Sequence, residues 1–237
     1  IGPGVKKVKP GDKVVLHWRK GTGIESDPST YNWNGIKVNA GWITTFSEYS
    51  VISENRITVI PQDSDLQTAS LLGCAVLTGF GVVQNDAKLK IGESVVVFGA
   101  GGVGLNIIQA ASLISAYPIV AVDLFDNRLE MARLFGATHL INSSESNARP
   151  EILNIIKDQG LDVFIDNTGI PEIIEMGYEI TKTNGRIILV GVPRAGHNII
   201  SIYSLPLHFG KELKGSHGGE SIPQIDIPRY LNLYRIR

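Results

Sequence analysis

Cysteine is nearly absent from this sequence, which has a single residue of that type, Cys74, among 237. One cysteine excludes a disulfide framework within the chain, and it excludes any zinc site made of four of its cysteines. A reducing, cytoplasmic setting is therefore our expectation. The sequence also shows no basic segment followed by an apolar run at its start, so we expect no signal peptide.

Net charge is almost absent as well, at −1. This value gives no electrostatic basis for binding a nucleic acid or an anionic membrane, and we expect neither as a partner. Residues 94–122 contain no charged side chain at all. That stretch is interrupted by glycines and by Asn106, Gln109 and Pro118, so it predicts buried parallel strands around a helix and not a membrane span.

Within this uncharged stretch lies a glycine motif that we place at the centre of the molecule. The apolar run Val95–Phe98 leads directly into glycines spaced as G-x-G-x-x-G, and an apolar pattern of helical period follows. This order predicts a buried strand, a tight turn and a helix whose first N–H groups favour phosphate. The first glycine allows the turn, the second lets a pyrophosphate approach the backbone, and the third lets the helix pack closely. The candidate cofactor-binding residues here are Gly99, Gly101, Gly102, Val103 and Gly104.

An acidic residue follows at the distance that dinucleotide binding requires. The strand-like run 119–122 ends in Asp123, 19 residues after Gly104. A carboxylate about 20 residues beyond the motif can accept hydrogen bonds from the adenine ribose hydroxyls. It would repel a 2′-phosphate, so we predict NAD rather than NADP as cofactor. The alternative at this point is an ordinary aspartate that caps the next helix.

From Ser94 onward, short apolar strands alternate with helices, which predicts an α/β fold with a doubly wound parallel sheet of the Rossmann type. We expect strands at 95–98, 119–122, 138–141, 161–165 and 186–192, with a turn at Asn184–Gly185. The preceding part differs: we expect strands at 13–16, 45–52 and 55–60, a long loop over 19–39, and a broken helix over 65–83 that Asp65 or Ser64 caps.

With these residues in view, the sequence resembles the zinc-dependent, medium-chain alcohol dehydrogenase family over nearly its whole length. The motifs that carry the resemblance are Lys9–Val14, Thr45–Tyr49, Gly73–Cys74 with Thr78–Gly79, Val190–Pro193 and Lys214–Gly215. The resemblance implies part of an all-β GroES-like catalytic domain over residues 1–70 and an NAD-binding Rossmann domain over residues 71–237.

The resemblance also implies roles for individual residues. Cys74 would be one of three protein ligands of a catalytic zinc, and Thr78 would touch the nicotinamide. Arg128 would lie beside the adenosine ribose. Thr168, Val190 and Val192 would line the nicotinamide side, with Ser216 or His217 as a weaker match nearby. From spacing alone, Cys74 is interpreted first as a small buried apolar residue of a helix, and the ligand role is what the resemblance implies.

Several parts of the family pattern are missing from this sequence. The other two ligands of the catalytic zinc and the proton relay lie upstream of anything that matches Ile1, so no catalytic residue is assigned. The five histidines show no ligand spacing. The stretch 19–39, where the family's four-cysteine lobe would fall, has no cysteine, and we predict no structural zinc.

The predicted function is hydride transfer between a small alcohol or carbonyl substrate and the nicotinamide. Two alternatives stay open: a zinc-free NADPH-dependent quinone or enoyl reductase, and a catalytically incomplete nucleotide-binding fragment. We also expect a homo-oligomer, by resemblance a dimer, in which the apolar run 199–203 serves as an edge strand or lies covered.

Overall fold

The fold is that of a computed structural model, which describes residues 1–39 and 41–236. Contacts divide it into two compact units, one of Ile1–Leu77 with Ser221–Arg237 and one of Thr78–Glu220. The domains predicted from the sequence divide at residue 70 and place residues 221–237 with the nucleotide-binding part. The compact units therefore differ from the predicted domains over residues 71–77 and over residues 221–237.

The described residues contain ten strands and seven α-helices. The strands are β1 Lys13–Leu16, β2 Thr30–Trp33, β3 Ile36–Asn39, β4 Ile57–Ile60, β5 Val95–Phe98, β6 Ile119–Asp123, β7 His139–Asn142, β8 Leu161–Asp166, β9 Thr181–Leu189 and β10 Glu212–Gly215. The helices are α1 Leu66–Ser70, α2 Ala75–Gly81, α3 Gly102–Leu113, α4 Asp126–Leu134, α5 Ala148–Ile156, α6 Pro171–Ile180 and α7 Pro223–Arg235.

The second unit contains a six-stranded sheet in the order β10-β9-β8-β5-β6-β7. Every neighbouring pair in it is parallel. The predicted α/β fold with a parallel sheet is thus confirmed. Strand β5 has β6 as its neighbour on one side and β8 on the other, so the strand order reverses direction at β5. Such a reversal creates a crevice at the carboxyl ends of β5 and β8.

Alternate residues of the central strands point to opposite faces, and each face is covered by helices. Val95 and Val97 of β5 belong to one buried apolar cluster, together with residues of α3 and α4. Val96 and Phe98 belong to the other, together with residues of α5 and α6. Burial on both faces explains why these strands are continuous apolar runs in the sequence.

The first unit holds two small antiparallel sheets, β1 with β4 and β2 with β3. Helix α7 packs against β4. The carboxylate of Asp65 accepts the N–H groups of Gln67 and Thr68 and caps α1, as predicted. The expected break of this helical stretch is confirmed, because a 3-10 turn at Leu71–Gly73 separates α1 from α2.

Four sequence-based expectations about secondary structure were wrong. Residues 45–52 form no strand, and the side chain of Phe46 is fully exposed there. The predicted loop over 19–39 contains the hairpin of β2 and β3. Strand β9 begins at Thr181 and ends at Leu189, whereas the predicted strand covers 186–192, so residues 190–192 lie beyond the observed strand. The predicted turn at 184–185 is an irregularity in the pairing of β9 with β8. The run 199–203 forms no strand. It therefore does not provide the edge strand through which we expect two copies to pair.

None of the helices in residues 1–39 and 41–236 is by itself long and apolar enough to cross a membrane. One bent pair, Leu66–Gly73 with Ala75–Asp86, meets the criteria of length and composition when the two helices are taken together.

Candidate functional site

The glycine motif forms the turn between β5 and α3. Gly99 has a φ of +92°, a left-handed conformation that glycine adopts without strain. A Cβ atom at Gly104 would lie 2.0 Å from the carbonyl oxygen of Gly99, so only glycine allows α3 to start this close to the strand. A Cβ atom at Gly101 would meet no atom within 4 Å. The turn is therefore tightly packed on one side and open at Gly101.

A cleft of about 770 Å³ lies over this turn. Eight of the predicted cofactor-binding residues line it: Gly99, Gly101, Gly102, Val103, Gly104, Asp123, Arg128 and Thr168. They come from the segments that follow β5, β6 and β8, which meet at the carboxyl edge of the sheet. A volume of this size is within the usual range of small-molecule and cofactor sites.

Asp123 lies at the end of β6 with its side chain almost fully buried. Its Oδ2 atom accepts a hydrogen bond of 2.7 Å from the N–H group of Ala100, in the glycine turn. Its Oδ1 atom accepts from the N–H groups of Leu124 and Phe125 at 2.8 and 3.2 Å. The residue at the N-cap of α4 is Phe125, so Asp123 ties β6 to the glycine turn and does not cap that helix.

Arg128 extends from α4 beside this carboxylate. Its Nη1 atom is 3.6 Å from Oδ1 of Asp123, and half of its side chain is exposed. The guanidinium carbon lies 4.8 Å from the centre of the Phe125 ring. Arg128 is thus held at the rim of the cleft by a charge and an aromatic face, with exposed surface left for a ligand.

The loops after β8 and β9 are joined through buried backbone contacts. The carboxylate of Asp166, which is fully buried, accepts from the N–H and hydroxyl of Thr168 at 3.0 and 2.6 Å and from the N–H of Gly169 at 2.9 Å. Its carbonyl oxygen accepts from the N–H groups of Val190 and Gly191. A Cβ atom at Gly191 would lie 2.3 Å from the Gly169 nitrogen. Thr168 and Val190 therefore lie in adjoining loops.

Three of the predicted nicotinamide contacts do not line the cleft. Val190 is half-buried, Val192 is 85% exposed, and Thr78 is buried in α2. The structure brings the adenosine and pyrophosphate candidates together in one cleft, while these three residues lie outside it. Their contact with a nicotinamide stays a prediction.

Cys74 is exposed and lies between the 3-10 turn and α2. The interpretation as a small buried apolar residue is therefore wrong. Among residues 1–39 and 41–236, no three His, Cys, Asp or Glu side chains are placed to hold one metal ion. The described residues offer one thiol and do not fit a catalytic zinc by themselves, so we derive no chemical step through that metal.

Sequence reasoning missed other residues that line the cleft. Leu124 and Phe125 follow β6, Ser143 follows β7, and Asn167 follows β8. All four stand directly beyond the carboxyl end of a parallel strand, a position that marks ligand sites in such sheets and could have identified them. Asn167 donates weakly from Nδ2 to the carbonyl oxygens of Phe98 and Gly99, at 3.4 and 3.3 Å.

Comparison with known proteins finds similar sequences and a similar structure. Residues 102–234 match the family model described as zinc-binding dehydrogenase. The chain is 32% identical over 274 residues to the S-(hydroxymethyl)glutathione dehydrogenase of Paracoccus denitrificans, covering 99% of this chain and 71% of that protein. It is 32% identical over 269 residues to the class-3 alcohol dehydrogenase of Cereibacter sphaeroides, with the same shares covered.

A solved structure shares the fold over the whole chain. The crystal structure of benzyl alcohol dehydrogenase from Acinetobacter calcoaceticus aligns with a TM-score of 0.87 and 31% sequence identity. The alignment covers 100% of this chain and 70% of that one.

Proposed function

Because the chain belongs to the zinc-binding dehydrogenase family of medium-chain alcohol dehydrogenases, we propose that it is an NAD-dependent alcohol dehydrogenase that binds NAD in the cleft at the carboxyl ends of β5 and β8. The observation that carries this proposal is the pairing of an open glycine turn with a buried carboxylate. The space at Gly101 admits a pyrophosphate, and Asp123 lies beside it.

The charges of the cleft favour this cofactor. The first N–H groups of α3 have no acceptor within the helix, and they carry the positive end of its dipole toward the pyrophosphate. Asp123 uses its two oxygens for three backbone N–H groups, while a carboxylate has about four acceptor positions. One position is therefore left to accept from a ribose hydroxyl.

The same carboxylate disfavours NADP. Two unit charges about 4 Å apart near a protein surface interact by about 4 kcal/mol. Arg128 and solvent reduce this repulsion, so we expect NADH to bind on the order of a hundredfold more tightly than NADPH. The apolar side chains of Leu124 and Phe125, both about half exposed at the cleft, offer a surface for the adenine.

The chemistry that the cofactor supplies is the transfer of a hydride between the substrate carbon and the nicotinamide ring. The contribution of this chain is to bind and orient the cofactor. We propose that Thr168, Val190, Val192 and Thr78 lie along the nicotinamide half. Cys74 would supply one thiolate to the family's catalytic zinc, but the described residues place no second and third ligand beside it. The substrate that we propose is an alcohol or a carbonyl compound, and two of the relatives are named as alcohol dehydrogenases.

A titration with NADH and NADPH, followed by cofactor fluorescence, tests the proposal. Tight NADH binding with much weaker NADPH binding would support it. Equal binding, or a preference for NADPH, would favour the reductase alternative, for which the exposed guanidinium of Arg128 offers a partner to a 2′-phosphate. If neither cofactor binds, the glycine turn is only structural in this chain.

A further inference from the structure

A buried carboxylate lies at the end of the helical segment that begins with α2. Asp86 is the last residue of a π-helical turn, Val82–Asp86, and its side chain is fully buried. Its Oδ1 atom lies 2.7 Å from the Nζ atom of Lys214, and its Oδ2 atom accepts a hydrogen bond of 2.7 Å from the hydroxyl of Ser216. Both oxygens are thus bonded to side chains at and just beyond β10.

The segment that Asp86 holds has an unusual backbone. Gly218, Gly219 and Glu220 all have positive φ, at +64°, +68° and +47°. The hydroxyl of Ser216 accepts from the N–H of Gly219 at 3.0 Å while it donates to Asp86. Non-glycine residues in this conformation and π-helical turns are both concentrated at functional sites. Here the π-helical turn ends at Asp86, and the segment with positive φ is linked to Asp86 through the hydroxyl of Ser216.

The same segment packs on α2 without space between them. Asn85 donates from Nδ2 to the carbonyl oxygen of Gly219 at 2.8 Å. A Cβ atom at Gly219 would lie 2.5 Å from the carbonyl oxygen of Thr78. The loop 216–220 is therefore fixed beside Thr78, a residue that we place along the nicotinamide.

The loop also lies at the ligand-binding edge of the sheet. Ser216 follows the carboxyl end of β10, and its N–H donates to the carbonyl oxygen of Leu189, the last residue of β9, at 2.8 Å. Val190 continues from that residue. Loops at the carboxyl ends of parallel strands form the binding crevice in such sheets, so the Ser216 loop adjoins the nicotinamide half of the proposed site.

We propose that Asp86 is a positioning residue that holds the loop 216–220 in the shape that the nicotinamide half of the cofactor requires. This inference rests on the proposed function, since it assumes that NAD binds at this edge. Asp86 itself does not touch the cofactor. It acts through Ser216 and Lys214.

The chain contains a matched control at the amino ends of the strands, opposite to the ends where we place the cofactor. Asp162, near the amino end of β8, accepts from the N–H and hydroxyl of Ser94 at 3.0 and 2.9 Å and pairs with Lys182. It therefore has the same two partner types as Asp86, a serine and a lysine. Because it lies away from the carboxyl ends of the strands, the variant Asp162→Asn controls for the loss of a partly buried ion pair with a lysine.

The experiment compares the wild-type chain with Asp86→Asn and Asp162→Asn. Calorimetry measures the affinity for ADP-ribose, which lacks the nicotinamide, and for NADH. Fluorescence measures the change in emission when the dihydronicotinamide is bound. For Asp86→Asn we expect unchanged ADP-ribose affinity, NADH affinity lowered by roughly tenfold, and loss of the emission change. For Asp162→Asn we expect all three to stay as in the wild type.

Each other outcome overturns the inference. If Asp86→Asn keeps the NADH affinity and the emission change, the carboxylate does not position the nicotinamide half. If it lowers ADP-ribose and NADH affinity equally, its role is only structural. If the wild-type chain binds neither ligand, the proposed function itself fails and this inference fails with it, a result distinct from the other two.

Discussion

The position for a Cβ atom at Gly104 lies 2.0 Å from the carbonyl oxygen of Gly99. We predict that Gly104→Ala destabilises the fold and prevents cofactor binding. Alanine in a helix gains about 1 kcal/mol over glycine, but overpacking costs about 1–3 kcal/mol even where side chains can move. Here the obstacle is backbone of a tight turn, so the steric cost is larger. Denaturant unfolding should show a net loss of about 2 kcal/mol, together with loss of NADH binding.

Gly101→Ala should separate these two effects. A Cβ atom at Gly101 meets no protein atom within 4 Å, and the residue lines the cleft. Its φ of −73° suits alanine, so we expect the free energy of unfolding to change by less than about 1 kcal/mol. The added methyl occupies space that the pyrophosphate needs, and NADH affinity should fall by about tenfold or more. Unchanged affinity would place the pyrophosphate elsewhere.

Asp123→Asn should lower the preference for NADH over NADPH by about tenfold or more, because the negative charge that repels a 2′-phosphate is removed. It should also cost about 1–3 kcal/mol of stability, since the new amide group faces backbone N–H donors. The measurement is the ratio of the two dissociation constants. Asp126→Asn, three residues further on and outside the cleft lining, is the matched control and should leave the ratio unchanged.

The glycine turn and the position of Asp123 beside it, which form the proposed adenosine half of the site, could be predicted from sequence because their signals are local. The run Val95–Phe98, the glycine spacing and the position of Asp123 each depend on a few neighbouring residues. Burial of β5 on both faces requires a continuous apolar run, and the close start of α3 requires glycine at residue 104. Such constraints are visible without knowledge of distant contacts.

The first unit was harder to predict because two of its strands, β2 and β3, are short and exposed. The β2–β3 hairpin has an Asn34–Gly35 turn with both φ values positive, a strong hairpin signal that the surrounding polar residues obscured. Helix α7, which contains Pro228, was not predicted. The apolar run 199–203 predicts an edge strand that the structure does not contain, because periodicity alone cannot assign short apolar runs. The group around Asp86 joins residues about 130 positions apart and leaves no local pattern.

A chelator should leave this chain unchanged. Cys74 is the single thiol, and the described residues place no second and third ligand beside it. A catalytic zinc needs three protein ligands. We therefore expect less than one zinc per chain by elemental analysis, and no change in NADH affinity or melting temperature with EDTA. Loss of NADH binding on chelation would show that a metal supports the cleft.

The stability of the first unit should fall as the pH decreases below about 6.5, because of His17. Burial, the largest effect, lowers the pKa of His17 from its usual value of 6.5, and nearby Arg56 adds to the shift. Its Nδ1 lies 2.7 Å from the carbonyl oxygen of Arg19, which can only accept, so Nδ1 carries the proton. Nε2 then accepts from the hydroxyl of Thr58 at 3.0 Å. The neutral ring fits this buried site.

The sign follows from proton uptake. Between the lowered pKa of the folded state and 6.5, the unfolded chain binds more protons, so stability is complete above 6.5 and is lost as the pH falls, by at most about 1.4 kcal/mol per pH unit. All three tryptophans, Trp18, Trp33 and Trp42, lie in the first unit, so their fluorescence during urea unfolding reports on it. His17→Gln should reduce this dependence, whereas replacing the exposed His208 with Gln should not. An equal slope in His17→Gln and wild type would assign the pH dependence to another group.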